Sequence, residues 1–317
     1  MEKLNHDKTA RKSLDPGRRQ NLSSAPSLKE DSTIAYLGPA GTFTHEAALS
    51  VFGHKASYQA CGTIEDVFRW VERDHPSRGV VPLENAYAGS VHITMDLLYT
   101  GAAKIQGEIL SQIHLHLLSQ APSVEQVKRV YSHSMAIAQC SNWLKGHLPH
   151  VAVSEVASTA LAVKTATREP HAAAIGSRFA GIINGLPSLK AMIEDNPGNV
   201  TRFLVLGKEQ PKPTGKDKTS ILLLLNHKAG GLYKVLKVFA ERNIHVIRVE
   251  TRPEKRKKWE CLYYIDIEGH EADHPVGEAL TDIDKHCTYL KRLGSYPAVE
   301  NPGRVSGLKQ RPAPERV

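Results

Sequence analysis

The chain of 317 residues exceeds one average domain, so two or three packed units are expected. Hydrophobic residues at 41% and charged residues at 23% give an ordinary globular composition, and no apolar run approaches the about 18 residues a membrane span needs. The net charge of +8 comes without an aromatic-interleaved basic stripe, so it predicts a solvated surface or a small anionic ligand and argues against nucleic acid.

In chain order, residues 1–32 are polar and broken by Pro16, Gly17 and Pro26, and read as a disordered extension. Thr33–Leu37 reads as a strand and 42–53 as a helix begun at a Gly-Thr turn. A buried strand at 79–83 and a helix at 92–100 follow. Residues 109–118 set Ile113, Leu115 and Leu117 against His114 and His116, the period of a strand. Further strands are expected at 130–132, 151–155, 172–175 and 200–207, with helices at 134–146 and 159–167. Strands alternating with helices predict an α/β fold with a mainly parallel sheet. The Pro-, Lys- and Gly-rich stretch 207–218 lacks apolar periodicity and reads as a linker between units that fold separately. Elements at 219–225, 230–242, 244–251, 259–267, 276–285 and 288–293 then read β-α-β-β-α-β, the ferredoxin-like plait. The last stretch, 298–317, reads as a disordered tail.

Cys61, Cys140, Cys261 and Cys287 lie far apart, which argues against a disulfide framework or a zinc site. The N-terminus lacks the apolar core of a secretory signal, so a reducing cytoplasm is expected. No Gly-rich dinucleotide loop, P-loop or metal-spaced His/Asp cluster occurs, so neither cofactor nor metal is expected.

Several segments carry chemistry-bearing residues at element ends. Gly38–Thr44 joins a strand to a helix, and its N–H groups with Thr42 or Thr44 could cradle an anion. Glu84-Asn85 follows a buried strand, where α/β sheets present ligand-binding groups; Ser90 stands as a helix cap or a ligand contact. Ser132 precedes a helix that carries Gln139. Thr201 and Arg202 open an apolar strand. Alternation sends them to opposite faces, so the two should not share a cleft, and Arg202 is assigned to the structure.

Five blocks in this order carry a resemblance: YLGPAGTFTHEAA (36–48), VVPLENAYAGSV (80–91), VYSHSMAIAQC (130–140), Asn199–Phe203 and GGLYKVLKVFAERNIHVIRVETRP (230–253). Together they resemble prephenate dehydratase with a C-terminal ACT-type regulatory domain, over roughly residues 33–297. The resemblance implies a two-lobed catalytic domain, like a periplasmic binding protein, over 33–207. One lobe would comprise 33–108 and 189–207, the other 109–188, followed by an α+β ferredoxin-like ACT domain over 219–297. It implies loss of CO2 and water from prephenate to give phenylpyruvate in phenylalanine biosynthesis, with Thr201 as the residue on which dehydration depends. Asn85, Ser132, Gln139, Thr42 and Thr44 are the implied substrate contacts, with Ser132 and Gln139 facing Thr201 across the cleft. Gly230, Gly231, Leu232, Glu250, Thr251, Arg252 and Pro253 are the implied phenylalanine-binding segments, shared between two copies in a homodimer or homotetramer.

The chain departs from the family pattern at Ala86, where some relatives carry a hydroxyl, and at Ser134, where many carry proline. Gly231 and Thr251 also replace an alanine and a serine. Residues 1–32 are too short and polar for the chorismate mutase domain fused to some relatives. Rival readings are an arogenate dehydratase, a non-aromatising prephenate decarboxylase, and a ligand-binding sensor of the same two-lobed shape.

Overall fold

The computed structural model describes residues 33–73, 77–226, 228–254 and 260–299. The expected extension over 1–32, the tail from 300 and part of the basic run 252–258 lie outside these residues. No helix among the described residues is long and apolar enough to cross a membrane.

The first sheet has the order β2-β1-β3-β11-β5, built from β1 (Thr33–Leu37), β2 (Ser57–Cys61), β3 (Ser77–Asn85), β5 (Lys104–Gln112) and β11 (Val200–Gly207), with the short β4 (Gly89–Ser90) hairpinned onto β3. β1 runs parallel to β2 and β3, whereas β11 is antiparallel to both β3 and β5. Side-chain alternation gives the sheet two apolar faces. Phe203 and Val205 join Ile34, Tyr36 and Val80 under helix α1 (Phe43–Phe52). Leu204 and Leu206 join Val81 and Leu83 under α2 (Ile64–Glu72) and α3 (His92–Thr100).

The second sheet, β10-β6-β9-β7-β8, comprises β6 (His116–Ser119), β7 (Arg129–Ser132), β8 (Ala152–Glu155), β9 (Ala172–Gly176) and β10 (Ser188–Lys190). Helices α4 (Ser134–Gln139), α5 (Ser141–His147), α6 (Thr159–Ala166) and α7 (Arg178–Asn184) accompany it. The chain thus crosses to the second sheet at 113–115 and returns over 191–199, slightly later each time than the lobe limits expected from sequence.

Two expected elements prove to be broken. The alternating run 109–118 is two strands in two sheets, because the backbone at 113–115 pairs instead with the returning chain: Ile113 N–H donates to Asn199 O (2.8 Å) and Leu115 N–H to Glu194 Oε2 (2.9 Å). The helix expected over 134–146 is interrupted at Cys140. There the Asp195 carboxylate accepts from Asn142 N–H (3.0 Å) and Trp143 N–H (3.1 Å) and restarts the helix as α5.

The C-terminal unit is the plait expected from sequence. Strands β12 (Asp217–Leu225), β13 (Val246–Pro253), β14 (Cys261–Glu268) and β15 (Cys287–Pro297) form an antiparallel sheet in the order β13-β14-β12-β15, with helices α8 (Gly231–Glu241) and α9 (His274–Asp284). It does not stand apart. Ile221 and Leu223 pack under α8 and α9, whereas Leu222, Leu224, Leu262, Tyr264, Leu293 and Tyr296 enter the same core as Leu204 and Leu206 of the first sheet. The stretch 208–216 is pinned as well: Gln106 Nε2 donates to Glu209 O (2.6 Å), and Gln210 bonds Ser295 N–H (3.1 Å) and Glu271 (2.7 Å). Separate folding of the two units is therefore corrected. The polar composition of 208–216 hid a linker laid along an interface.

One irregularity prepares the site. Along β3–β11 the pairing runs Arg202 with Glu84 and then Phe203 with Pro82, so Leu83 is an extra residue, a β-bulge. Leu83 and Glu84 consequently share the face of the sheet that meets the plait, and Asn85 is turned to the other face beside Thr201.

Candidate active site

Thr201 is buried on β11, directly paired with Asn85 at the end of β3. The hydrogen bonds around them have a fixed direction. Tyr87 N–H and Ala88 N–H both donate to Asn85 Oδ1 (3.0 Å each), which fixes its amide and leaves Nδ2 as the donor side. That Nδ2 donates to Thr201 Oγ1 (2.8 Å) and to Asn199 Oδ1 (2.7 Å). Asn199 Nδ2 in turn donates to Gln139 Oε1 of the second lobe (3.0 Å).

Every acceptor in this chain of bonds is used within it. The Thr201 hydroxyl proton, the second Asn199 Nδ2 proton and the Gln139 Nε2 protons remain as donors not used within the cluster. A hydroxyl that already accepts a hydrogen bond is polarised toward donating its own proton. The cluster bridges the two lobes and can present donors to an oxygen-rich, anionic ligand.

A family model described as prephenate dehydratase matches residues 34–211. A bifunctional chorismate mutase/prephenate dehydratase from Aquifex aeolicus is 46% identical over 88% of this chain and 77% of its own length. A prephenate dehydratase from Methanocaldococcus jannaschii is 34% identical over 84% of this chain and 98% of its own. Among solved structures, prephenate dehydratase from Arthrobacter aurescens in complex with L-Phe superposes with a TM-score of 0.78 at 31% identity, covering 84% of this chain and 90% of that one. The chain belongs to the prephenate dehydratase family.

Of the contacts expected for this family member, the structure brings Thr201, Asn85 and Gln139 into one cluster. Asn199, at the head of the Asn199–Phe203 block, joins them. Its amide is the kind of short polar group that bridges two loops, but nothing in its local pattern marks it. Ser132 is not at the cleft: it is fully buried and donates to Ile175 O (2.7 Å) inside the second lobe, which corrects its expected position facing Thr201. Thr42 is occupied as the cap of α1, accepting from His45 N–H (3.3 Å) and donating to Leu37 O (2.8 Å). Thr44 is buried in the first turn of the same helix. None of these three shares a hydrogen bond with the Thr201 cluster among the described residues. Ser90, a possible cap, accepts instead from Arg248 Nη2 of the plait (3.0 Å).

The Gly38–Thr44 loop serves the contact between lobes. Gly41 has φ +92°, a conformation a side chain would strain, and a Cβ there would lie 2.9 Å from Ile183 Cδ1 on α7 and have to displace the end of that side chain. His45 stacks on Tyr36 (4.3 Å between ring centroids) and meets Phe179 of α7 edge-on (5.1 Å). Its Nδ1 accepts from Gly41 N–H (3.2 Å). Burial, with a smaller push from the nearby His54, lowers its pKa from 6.5 to about 4, so the ring is neutral in this contact.

Arg202 points away from Thr201, as alternation requires, into a buried ionic cluster under the plait. Its Nε donates to Glu108 (2.7 Å), Nη1 to Asp266 (2.7 Å) and Glu84 (3.3 Å), and Nη2 to Tyr296 OH (3.1 Å). Lys218 Nζ donates to both Glu108 oxygens (2.8 and 3.0 Å), and Ser220 Oγ joins Asp266 to Tyr296. Burial alone would raise the Asp266 pKa; the charges of Arg202 and Lys218 overcome it and hold the carboxyl below the usual range.

The two expected effector segments are placed side by side without lining one pocket. A cavity of about 500 Å³ opens at the start of α8, lined by Leu225, Gly231, Leu232, Glu260, Cys261 and Tyr263 among others. Gly230 precedes it as the left-handed N-cap of α8, φ +79°. Glu250–Pro253 lie one strand over, with Thr251 paired to Tyr263 and Pro253 to Cys261. Arg252 forms a forked pair with Asp96 on α3.

Proposed function

We propose that this protein is a prephenate dehydratase, taking prephenate to phenylpyruvate with loss of CO2 and water, and that Thr201 delivers the hydrogen bond to the departing hydroxyl. The observation that carries this reading is the one-way chain of donors from the Tyr87 and Ala88 amides through Asn85, which leaves the Thr201 proton directed outward. A threonine hydroxyl is a poor acid at neutral pH, so it acts as an oriented donor and relays a proton supplied by water. The Gln139 amide, held through Asn199, offers its N–H groups to a substrate oxygen. Aromatisation drives the elimination, and the chemistry needs no electron sink. Asn85 has all four hydrogen-bonding positions engaged and is read as the group that orients Thr201.

We further read the plait as an ACT-type regulatory domain whose effector is phenylalanine, bound at the cavity beside Gly231 and Leu232. The Arthrobacter relative in complex with L-Phe supports this. β13 is an edge strand, and its exposed Ile247 and Val249 suit pairing with a second copy in a cytoplasmic homodimer or homotetramer. The test is to follow phenylpyruvate absorbance on mixing the purified protein with prephenate, with arogenate assayed in parallel. Thr201→Ala should lower kcat by roughly 10²–10⁴-fold with KM little changed; turnover within about twofold of wild type would refute the assignment.

A further inference from the structure

Arg248 lies in the middle of β13, between Ile247 and Val249, and its guanidinium reaches out of the plait to the first sheet. Its Nε pairs with Glu84 Oε2 at 2.8 Å, and Nη2 donates to Ser90 Oγ at 3.0 Å and approaches Glu250 Oε2 at 3.3 Å. Glu84 and Ser90 face each other as a cross-strand pair at the base of the β3–β4 hairpin, and the next pair is Asn85 with Gly89. The tip of that hairpin is tied to Asn85 through the Tyr87 and Ala88 amides. One plait side chain therefore grips both strands of the hairpin that aims Asn85 at Thr201. The other oxygen of Glu84 accepts from Arg202, the neighbour of Thr201, so both strands beneath the site are held from the same carboxylate.

We propose that Arg248 is the positioning residue through which the plait sets the Asn85–Thr201 geometry, so that an effector displacing β13 changes turnover by loosening or tightening this clamp. The inference rests on the reading of the plait as the phenylalanine-responsive unit. Arg248 is two residues from Glu250, where the expected effector segment begins, so a shift of that segment along the strand reaches the hairpin without crossing the core. The fork is essential to the device, since a guanidinium in one plane holds Glu84 and Ser90 in fixed relative positions and a lysine ammonium cannot. Arg202 also links Asp266 and Tyr296 of the plait to Glu84, and Leu83 packs in the shared core, whereas other ties between the units lie away from the hairpin. Lys291 Nζ, for example, donates to the carbonyls of Leu98 (2.8 Å) and Tyr99 (2.9 Å) at the end of α3.

The experiment uses the full chain, with prephenate saturation curves recorded with and without phenylalanine and phenylalanine binding measured by calorimetry. Wild type, Arg248→Gln, Arg248→Lys and Lys291→Met are compared. In wild type, phenylalanine is expected to change kcat/KM by a factor within about 5–150. A wild type that ignores phenylalanine defeats the underlying reading of the plait, whatever the variants do. With a responsive wild type, Arg248→Gln should still bind phenylalanine, lose the response to less than about twofold, and drop kcat by about tenfold at nearly constant KM, below the roughly 10²-fold cost of a full 1 Å misplacement. Arg248→Lys should be intermediate, and serves if the glutamine variant does not fold. Lys291→Met, which weakens the same boundary elsewhere, should keep the response. An undiminished response in Arg248→Gln or Arg248→Lys overturns the proposal. So does loss of phenylalanine binding in either, which would make Arg248 part of the effector site, or an equal loss of response in Lys291→Met.

Discussion

Replacing Arg202 by methionine tests whether the buried cluster holds the two units together. Four fully ionic groups meet there, Arg202 and Lys218 against Glu108 and Asp266, all with side chains at most 11% exposed. The charges balance. Arg202→Met preserves volume but leaves Glu108 and Asp266 facing Lys218 alone, an uncompensated negative charge in a site closed to water. Breaking a buried pair from one side costs about 3–5 kcal/mol, a large part of the roughly 5–15 kcal/mol that holds a folded protein. At about 2–4 °C per kcal/mol the midpoint should fall by something on the order of 10 °C. The assay is urea and thermal unfolding of the full chain, with Asp266→Asn and the double variant completing a cycle. Removing Asp266 as well restores the charge balance, so the double variant should recover much of the loss and the coupling should exceed about 1 kcal/mol. A single variant within about 1 kcal/mol of wild type, or a strictly additive cycle, would refute the argument that the cluster acts as a balanced buried unit.

Three further outcomes follow from the structure. Asn85→Asp keeps the shape but cannot donate to Thr201, so the threonine proton should turn inward onto the carboxylate; kcat is expected to fall about 10²-fold or more, and a near-normal kcat would show that the donor direction is irrelevant. Deleting everything after Gly207 removes six side chains from the shared core, each worth about 1.5–3 kcal/mol when fully buried; the fragment should aggregate or melt far below the full chain, and a monodisperse fragment with an unchanged midpoint would contradict the shared core. His45 is held neutral with its pKa lowered to about 4, so the unfolded chain binds more protons between about pH 4 and 6.5. Its contribution is complete above about pH 7 and is lost as pH falls through that window, with a ceiling of about 3 kcal/mol and about half of that after allowing for partial exposure; His45→Gln should flatten this part of the stability profile, and an unchanged slope would exclude His45 as its source.

The site was legible in the sequence where one strand carries the information. Parity along 201–206 is enough to send Thr201 and Arg202 to opposite faces, and Asn85 could be placed because it ends a buried strand. What escaped depends on contacts distant in sequence. Asp195 interrupts a helix more than fifty residues upstream, so the apolar pattern over 134–146 looks continuous. Ser132 precedes a helix just as a ligand-binding serine would, and only the neighbouring strand, through Ile175 O, shows that its hydroxyl is consumed inside the lobe. Lys218 and Asp266 read as ordinary polar positions of a plait until Glu108 and Arg202 are brought beneath them. For the shared core a signal was present: Ile221–Leu225 is apolar on both faces, as befits a strand covered on both sides, and a plait standing alone with helices on one side would leave Leu222 and Leu224 in water.

The bulge at Leu83 gives the β3–β4 hairpin an odd kind of bookkeeping. By absorbing Leu83 it sets the register in which Glu84 pairs with Arg202 on the plait side and Asn85 with Thr201 on the cleft side. Surface hairpins commonly accept a slip of register, but this one does not have that freedom, because parity here is function. Without the bulge, at unchanged length, Leu83 would pair with Arg202 and Glu84 with Thr201, swinging a carboxylate into a pocket suited to an anion and leaving Arg202 facing a leucine. Register at this turn is thus under the same chemical constraint as the identity of Thr201, and a slip by a single residue would silence the site and detach its regulator in one step.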